Sequence, residues 1–153
     1  MKSKAIASTE EIEKIIGKCQ FCNLAMVEGM NNPYVIPMNF GYNGGFIYLH
    51  SSKTGKKIDI LKANNKVCVS FSTDHELRWQ SEQMACSYSM KYRSVLAFGK
   101  VEFIEEAEKK IEAMNCIMRH YTSKEFTYNE PSIREVAVYK VIIEKLEGRV
   151  YGY

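Results

Sequence analysis

The sequence predicts a mainly β fold, an antiparallel barrel with α-helices packed on its outside. Two observations favour it: the strand-like segments are mostly joined by short turns, and only one short helical pattern interrupts their order. A doubly wound parallel sheet would instead need a helical crossover between successive strands. The chain has 153 residues, of which 46% are hydrophobic and 25% charged, so we expect a single domain spanning residues 1–153.

The first half begins with a helix and continues into strands. Ser8 and Glu11 have the spacing of a capping box, which predicts a helix start, and Gly17 is expected to end this helix. Three strands should follow, over residues 21–27, 34–42 and 46–51. Asn-Gly-Gly at 43–45 predicts a tight hairpin between the last two strands, and Pro37 interrupts the strand that contains it.

The second half contains further strands and one long amphipathic helix. We expect a short helix over about 53–63, a strand over 66–73, and a polar, irregular stretch over 74–84. Residues 86–104 should form two strands or one bent strand, with Gly99 near the bend. A helix is predicted over 105–121, with an apolar stripe whose methionines should pack in the core: Ile111, Met114, Met118 and Tyr121. One or two strands should close the chain.

Charge, hydropathy and cysteine usage exclude several classes of function. The net charge of +3 is too small and scattered to indicate nucleic-acid binding, and no apolar run is long enough to predict a membrane span. Five cysteines without a secretion-signal pattern predict free thiols and a cytoplasmic location. Cys19 and Cys22 form a C-x-x-C without a second cysteine pair or spaced histidines, so a structural role is expected and no metal site.

The stretch YLHSSKTGKKIDILKANN (48–65) predicts an anion site. It fails the P-loop pattern, because Gly55-Lys56 is followed by Lys57 and the position five before Gly55 is His50. Hydroxyl groups, three lysines and the N-terminus of a helix nevertheless meet there, an arrangement that suits a monophosphate. The alternative is a solvated first turn that happens to carry lysines.

Two other stretches could border the body of a ligand. In YVIPMNFGY (34–42), Pro37 opens the strand ladder and Asn39 offers an amide that can match a ring's donors and acceptors. In SMKYRSV (89–95), Arg93 could pair with a phosphate or a flavin carbonyl. The alternatives are an ordinary edge strand and a charged surface strand. His120 is expected to cap the C-terminus of its helix.

Three segments together resemble the nitroimidazole-resistance (Nim-type) proteins, which belong to the pyridoxamine 5′-phosphate oxidase-like, flavin-binding split-barrel superfamily. They are YVIPMNFGY, IYLHSSKTGKKIDILKANNKVCVSF and YRSVLAFGKVEFIEEAEKKIEAMNCIMRHYT, and the resemblance spans about residues 10–147. It implies an antiparallel Greek-key split barrel, a homodimer, and FMN (or FAD) at the subunit interface. The oxidases' pyridoxal-phosphate-binding residues have no clear match in EKLEGRVYGY, so vitamin B6 oxidation is not expected.

The resemblance also implies which residues would bind the flavin. Ile36, Pro37, Met38 and Asn39 would lie beside the isoalloxazine ring. His50 and Ser51 would lie where the third strand reaches the phosphate, which the basic pair Lys56 and Lys57 would grip. Arg93 and Ser94 would lie near the cofactor, either in the same subunit or reaching it from the other subunit of the dimer.

Two functions follow as hypotheses. The first is a flavin-dependent oxidoreductase that reduces nitro-aromatic compounds or another small aromatic substrate, with His50 as the candidate proton donor. The second is a non-catalytic barrel that binds or senses flavin or haem, with His50, His75 or His120 available as an axial ligand.

Overall fold

One eight-stranded antiparallel sheet organises the chain in the computed structural model, which describes residues 2–153. The strands are β1 (Ser3–Ile6), β2 (Cys22–Glu28), β3 (Asn32–Met38), β4 (Gly41–Asn43), β5 (Phe46–Ser52), β6 (Lys66–Arg78), β7 (Ser89–Ile104) and β8 (Val136–Tyr151). The helices are α1 (Thr9–Lys18), α2 (Lys56–Ala63), α3 (Ala107–Tyr121) and α4 (Glu130–Arg134), with a 3₁₀ turn over Ala85–Ser87. The mainly β prediction with flanking helices is confirmed.

The strand order shows that the sheet curls into a split barrel. Neighbouring strands follow the order β3-β2-β6-β7-β8-β5-β4, and β1 pairs with β8. The two ends of this path, β3 and β4, are consecutive in the chain and separated only by Asn39 and Phe40. The sheet therefore returns on itself at this corner, while no ladder joins β3 to β5 among the described residues.

Two strands of 16 residues, β7 and β8, wrap around the core. Their register shifts between Phe98 and Gly99. A Cβ at Gly99 would lie 2.1 Å from the carbonyl oxygen of Ile142, so only glycine allows this close approach. The predicted bend at Gly99 is confirmed. One or two strands were predicted both over 86–104 and at the end of the chain, and the structure has a single strand in each region, β7 and β8.

Alternating side chains of the sheet fill the barrel interior. Leu24, Leu49, Phe71 and Tyr139 are fully buried there, and the isoleucines of α1 close one end. Helix α3 covers part of the outer face, where Ile104, Ala113 and Val138 form a second, smaller cluster. No helix within residues 2–153 is long and apolar enough to cross a membrane.

Helix α1 starts as predicted and ends later. Ser8 accepts a hydrogen bond from the backbone N–H of Glu11, as the capping box requires. Gly17 does not end the helix, which continues to Lys18 and is capped by Cys19 in an extended conformation. Gly17 is exposed and has no left-handed backbone angle, so it is simply tolerated inside the helix.

Several other boundaries predicted from the sequence are wrong. The predicted strand over 34–42 is two strands, broken at the corner that closes the barrel. The short helix starts at Lys56 rather than near residue 53, and the stretch 74–84 is not wholly irregular because β6 continues to Arg78. Strand β1 and helix α4 were not predicted, since neither has a long periodic pattern.

Helix α3 buries a different face from the one its methionines indicate. Its buried residues are Lys110, Ala113, Cys116 and Ile117. Met114 packs against the second cluster as predicted, but it and Met118 are only half-buried. The cause is a close approach to β4: a Cβ at Gly41 would lie 2.7 Å from the backbone of Cys116 and of Ile117. This contact with a glycine fixes the rotation of the helix, so packing overrides the apolar stripe.

Candidate functional site

The candidate site is the groove between β3 and β5, where the barrel is split. Gly41 pairs with Tyr48 across the β4–β5 hairpin. That pair ends the β4–β5 ladder, and Asn39 and Phe40 form the corner that leads from β3 into it. The Nζ of Lys56 lies 4.9 Å above the ring of Tyr34, so the start of α2 lies beside β3. The candidate groove is therefore defined by two predicted segments, 36–39 along one side and 50–57 along the other.

Strand β3 presents a backbone edge to this groove. Its two prolines, Pro33 and Pro37, have no N–H and so weaken its capacity to pair with another strand. Pro37 and Asn39 are exposed and Ile36 is half-buried. Met38 is only 8% exposed because its side chain packs in the barrel core, and its carbonyl accepts from the Cys22 thiol at 3.6 Å. Met38 could thus border a ligand only through its backbone.

The loop between β5 and α2 supplies hydrogen-bond donors at one end of the groove. Gly55 has φ 121° and ψ 169°, a conformation that only glycine adopts readily, and it turns the chain into the helix. The N–H groups of Ile58 and Asp59 bond to the carbonyl of Gly55, and no side chain caps the helix. The first N–H groups of α2, those of Lys56 and Lys57, remain available to an anion.

The two lysines of the basic pair differ in their surroundings. The Nζ of Lys56 lies 2.9 Å from a carboxylate oxygen of Glu28, and this hydrogen bond raises the pKa of Lys56. Lys57 is half-buried and has no ion pair with any described residue. Lys57 is therefore the cation with capacity for a bound anion, whereas Lys56 also ties α2 to β2.

His50 and Ser51 point to opposite faces of β5, because successive side chains of a strand alternate. His50 pairs with Val138 and so faces the cluster beneath α3, whereas the Oγ of Ser51 accepts from the hydroxyl of Tyr139 at 3.4 Å. The Nδ1 of His50 is buried without a hydrogen-bond partner among the described residues. Burial and then the charge of Lys57 lower the pKa of His50, so its ring is neutral near pH 7. A neutral ring favours hydrogen bonding over proton donation.

Arg93 and Ser94 lie far from this groove within one chain. Arg93 pairs with Val150, while Ile104, at the other end of β7, pairs with Val138 beside His50. Positions 93 and 104 are 11 steps apart, which corresponds to about 36 Å measured along the strand. Within one chain, Arg93 and Ser94 therefore lie at the opposite end of β7 from the residues beside His50.

Arg93 is also engaged in a cluster of its own. Its guanidinium lies 2.8 Å from the carboxylate of Asp74 and 4.0 Å from the ring centre of Tyr153. Lys18 approaches the same carboxylate at 3.0 Å. The hydrogen bond from Lys18, and to a lesser extent that from Arg93, holds the pKa of Asp74 below its ordinary value. This cluster ties α1 and the C-terminus to the bulge of β6.

A large cleft lies elsewhere in the chain. It has a volume of about 670 Å³ and lies between α3 and the outer face of the sheet, and none of the predicted cofactor residues lines it. The unpaired donors at the start of α2 and the ammonium of Lys57 lie beside the groove and not in this cleft.

The remaining histidines and the C-x-x-C have structural contacts. His120 lies with its Nε2 2.7 Å from the carbonyl of Cys19, so it caps α1 rather than its own helix. His75 is exposed. Burial raises the pKa of Cys19 to about 11 and that of Cys22 to about 12, which makes both thiols unreactive. Within residues 2–153 no cluster of histidine, cysteine, aspartate or glutamate could hold a metal ion.

Sequence reasoning missed three residues that shape the groove. Glu28 and Tyr34 hold Lys56 from across the split, and Gly55 sets the start of α2. A glycine directly before a lysine pair at a strand-to-helix junction could have signalled the role of Gly55. The contacts of Glu28 and Tyr34 had no local signal, because they lie more than 20 residues from Lys56 in the sequence.

Comparisons with known proteins agree with this fold. The family model of pyridoxamine 5′-phosphate oxidase matches residues 8–150. A solved structure of a candidate 5-nitroimidazole antibiotic resistance protein from Bacteroides thetaiotaomicron is 44% identical, with a TM-score of 0.89 over 97% of this chain and 87% of that chain. Among curated proteins, no significant match was found.

More distant structures share the fold alone. A flavocytochrome from Azotobacter vinelandii is 20% identical, with a TM-score of 0.83 over 97% of this chain and 70% of that chain. An FAD-binding protein from Mesorhizobium loti is 21% identical, with a TM-score of 0.71 over 99% of this chain and 100% of that chain. With the near-complete family match and the 44% identity above, these similarities confirm the resemblance seen in the sequence. The chain belongs to the pyridoxamine 5′-phosphate oxidase-like family.

Proposed function

We propose that the protein is a flavin-dependent oxidoreductase that reduces nitro-aromatic compounds of the 5-nitroimidazole type, or other small aromatic compounds, with FMN as its cofactor and FAD as the alternative. The observation that carries this proposal is the set of unsatisfied groups along one groove. The N–H groups at the start of α2 and the ammonium of Lys57 lack partners among the described residues. The 44% identity to a candidate 5-nitroimidazole resistance protein supports the substrate class.

The chemistry of these groups supports a flavin phosphate as the ligand. A phosphate would accept hydrogen bonds from the free N–H groups of α2 and pair with Lys57. The exposed edge at Pro37 and Asn39 would then lie beside the ring, and the Asn39 amide can match its donors and acceptors. Bound flavin would supply the electron transfer, while these residues bind and orient it.

We propose a homodimer with one flavin at each end of its interface. The groove is open in a single chain, and Arg93 and Ser94 lie at the far end of β7 from His50. A second copy could close the groove and bring its own residues to the ring. The protein should elute at about twice 17.6 kDa, and a clean monomer that retains flavin would refute the interface site.

Titration with FMN and with riboflavin tests the phosphate site. Wild-type protein should bind FMN much more tightly than riboflavin, which lacks the phosphate. Lys57→Ala should weaken FMN binding by about tenfold or more and leave riboflavin binding almost unchanged, because a charge-assisted contact to phosphate is lost. Lys14→Ala, on an exposed face of α1, is the control. If Lys56→Ala/Lys57→Ala retains full FMN affinity, the phosphate site is wrong.

A non-catalytic barrel that binds or senses flavin or haem is the second candidate function. The observation in its favour is the unpaired ring nitrogen of His50, since histidine is a common axial ligand of haem. The visible spectrum of the purified protein separates the two cofactors, and mass analysis of the released molecule separates FMN from FAD. The enzyme hypothesis would be established if the wild-type protein reduced a 5-nitroimidazole with a reduced nicotinamide donor and the Lys57→Ala variant did not.

We also propose a cytoplasmic location. Cys19, Cys22, Cys68, Cys86 and Cys116 are all free thiols. Free thiols persist in a reducing compartment, whereas oxidising compartments favour disulfides. Microscopy of a fluorescent fusion in a producing cell would test this location.

A further inference from the structure

A second cavity, separate from the groove, is lined by more positive than negative side chains. It has a volume of about 200 Å³ and lies between α2, α3 and the ends of β7 and β8. Three lysines line it, Lys53, Lys62 and Lys110. None of the predicted phosphate residues, Lys56, Lys57 or Ser51, lines it. This cavity is therefore a different site from the proposed flavin phosphate site.

Lys110 is the anchor of this cavity because its ammonium is buried. The residue is only 5% exposed, and its Nζ donates to the carbonyl of Val136 at 3.0 Å and more weakly to that of Ile133 at 3.5 Å. An ammonium has three N–H donors, so one lacks a partner among the described residues. No carboxylate of residues 2–153 forms an ion pair with it. A buried charge without a counter-ion is costly, and an anion in the cavity would remove this cost.

The other two lysines extend the positive charge to the rim. Lys53 comes from the loop before α2 and Lys62 from its last turn, and both are exposed. Neither forms an ion pair within residues 2–153. Glu105 is the only acid among the residues that line the cavity, and it is not paired with any of the three lysines. Three positive charges against one negative charge attract anions.

The walls of the cavity set the second property of the ligand. They are mostly apolar: Ile58, Phe103, Ile104, Val136, Ala137 and Val138. The volume of 200 Å³ is below that of a pocket for a drug-sized molecule, so the ligand carries a single ring or a short chain. We propose that this cavity binds a small carboxylate with an apolar body, whose head group pairs with Lys110 and whose body contacts the apolar walls.

Calorimetric titration of the full chain with benzoate tests this proposal. Benzoate should bind the wild-type protein with a Kd below about 1 mM. Benzamide, its neutral isostere, should bind at least about tenfold more weakly. Inorganic phosphate should also bind more weakly, because it brings no apolar body to the walls. No benzoate binding at about 10 mM, or equal affinity for benzamide or for phosphate, would overturn the proposal.

Three lysine variants locate the site. Lys110→Met should weaken benzoate binding by about tenfold or more, because the buried ion pair is lost. Lys62→Met, on the exposed rim, should weaken it by about two- to fivefold, and this variant tests the site if Lys110→Met fails to fold. Lys109→Met is the matched control, since Lys109 is exposed, bonds to Glu106 and lies outside this cavity. The assignment would be overturned if benzoate affinity were unchanged in Lys62→Met and in any folded Lys110→Met. It would also be overturned if Lys109→Met lost as much benzoate affinity as these variants.

Discussion

Replacement of Gly55 by alanine tests the turn that aims the start of α2 at the groove. Gly55 has φ 121° and ψ 169°, and an added Cβ would meet nothing within 4 Å. The penalty therefore comes from the backbone alone, since L-residues with a side chain almost never adopt these angles. Such strain costs about 1–3 kcal/mol, so Gly55→Ala should lower the free energy of unfolding by about this amount or shift the loop.

Two other glycines provide matched controls. Gly44, in the β4–β5 hairpin, has φ 58° and equally open surroundings, so Gly44→Ala should cost about 1–2 kcal/mol without touching the groove. Gly17, inside α1, also has open surroundings but no left-handed backbone angle. Gly17→Ala should raise the free energy of unfolding by about 0.5–1 kcal/mol, because alanine is the better helix former.

Urea unfolding followed by circular dichroism, together with FMN titration, separates stability from binding. Gly55→Ala should lose about tenfold or more in FMN affinity, because the N–H groups of α2 no longer converge on the phosphate. Gly44→Ala should lose stability but keep its FMN affinity. If Gly55→Ala has both the unfolding midpoint and the FMN affinity of the wild type, the reasoning from its backbone angles is refuted.

Three further predictions concern packing, acid stability and thiol reactivity. Gly41→Ala should lower the free energy of unfolding by about 1–3 kcal/mol in urea, because its Cβ would lie 2.7 Å from the backbone of α3; no loss would contradict the packing of α3 on β4. The pKa of Asp74 is lowered in the folded state, so the stability it contributes is present above its ordinary value of 3.8 and is lost as the pH falls through the lower folded value. Asp74→Asn should therefore flatten the decline of the unfolding free energy below that pH, and an unchanged decline would exclude Asp74 as its source. Iodoacetamide at about pH 8 should label the exposed Cys86 first and spare Cys19 and Cys22 until unfolding, as followed by mass spectrometry; rapid labelling of either would contradict their structural role.

Local patterns in the chain were sufficient for the architecture. The capping box at Ser8, the Asn-Gly-Gly hairpin and the Gly99 bend each depend on neighbouring residues or on backbone freedom, and each is found in the structure. The antiparallel barrel follows because short turns can only join antiparallel neighbours. The family resemblance identified the fold, which the structure and the comparisons confirm.

Long-range packing decided the features that sequence reasoning missed. The corner at Asn39 and Phe40 splits one predicted strand in two because the sheet must return on itself there. Gly41 rotates α3 away from its methionine stripe, and His120 caps α1 rather than α3 because helix packing brings it to Cys19. Such contacts join residues that are far apart in the chain, so no local pattern announces them.

The sequence by itself determined the fold class and the family, and it identified 48–65 as the stretch where donors and positive charges collect. Only the tertiary structure decided which of these groups are available to a ligand. It engages Lys56 with Glu28 and leaves Lys57 unpaired, turns His50 and Ser51 to opposite faces, and sets Arg93 at the far end of β7. The physical reason is that composition and spacing specify which charges and donors exist, whereas their partners depend on which distant strands and helices pack beside them.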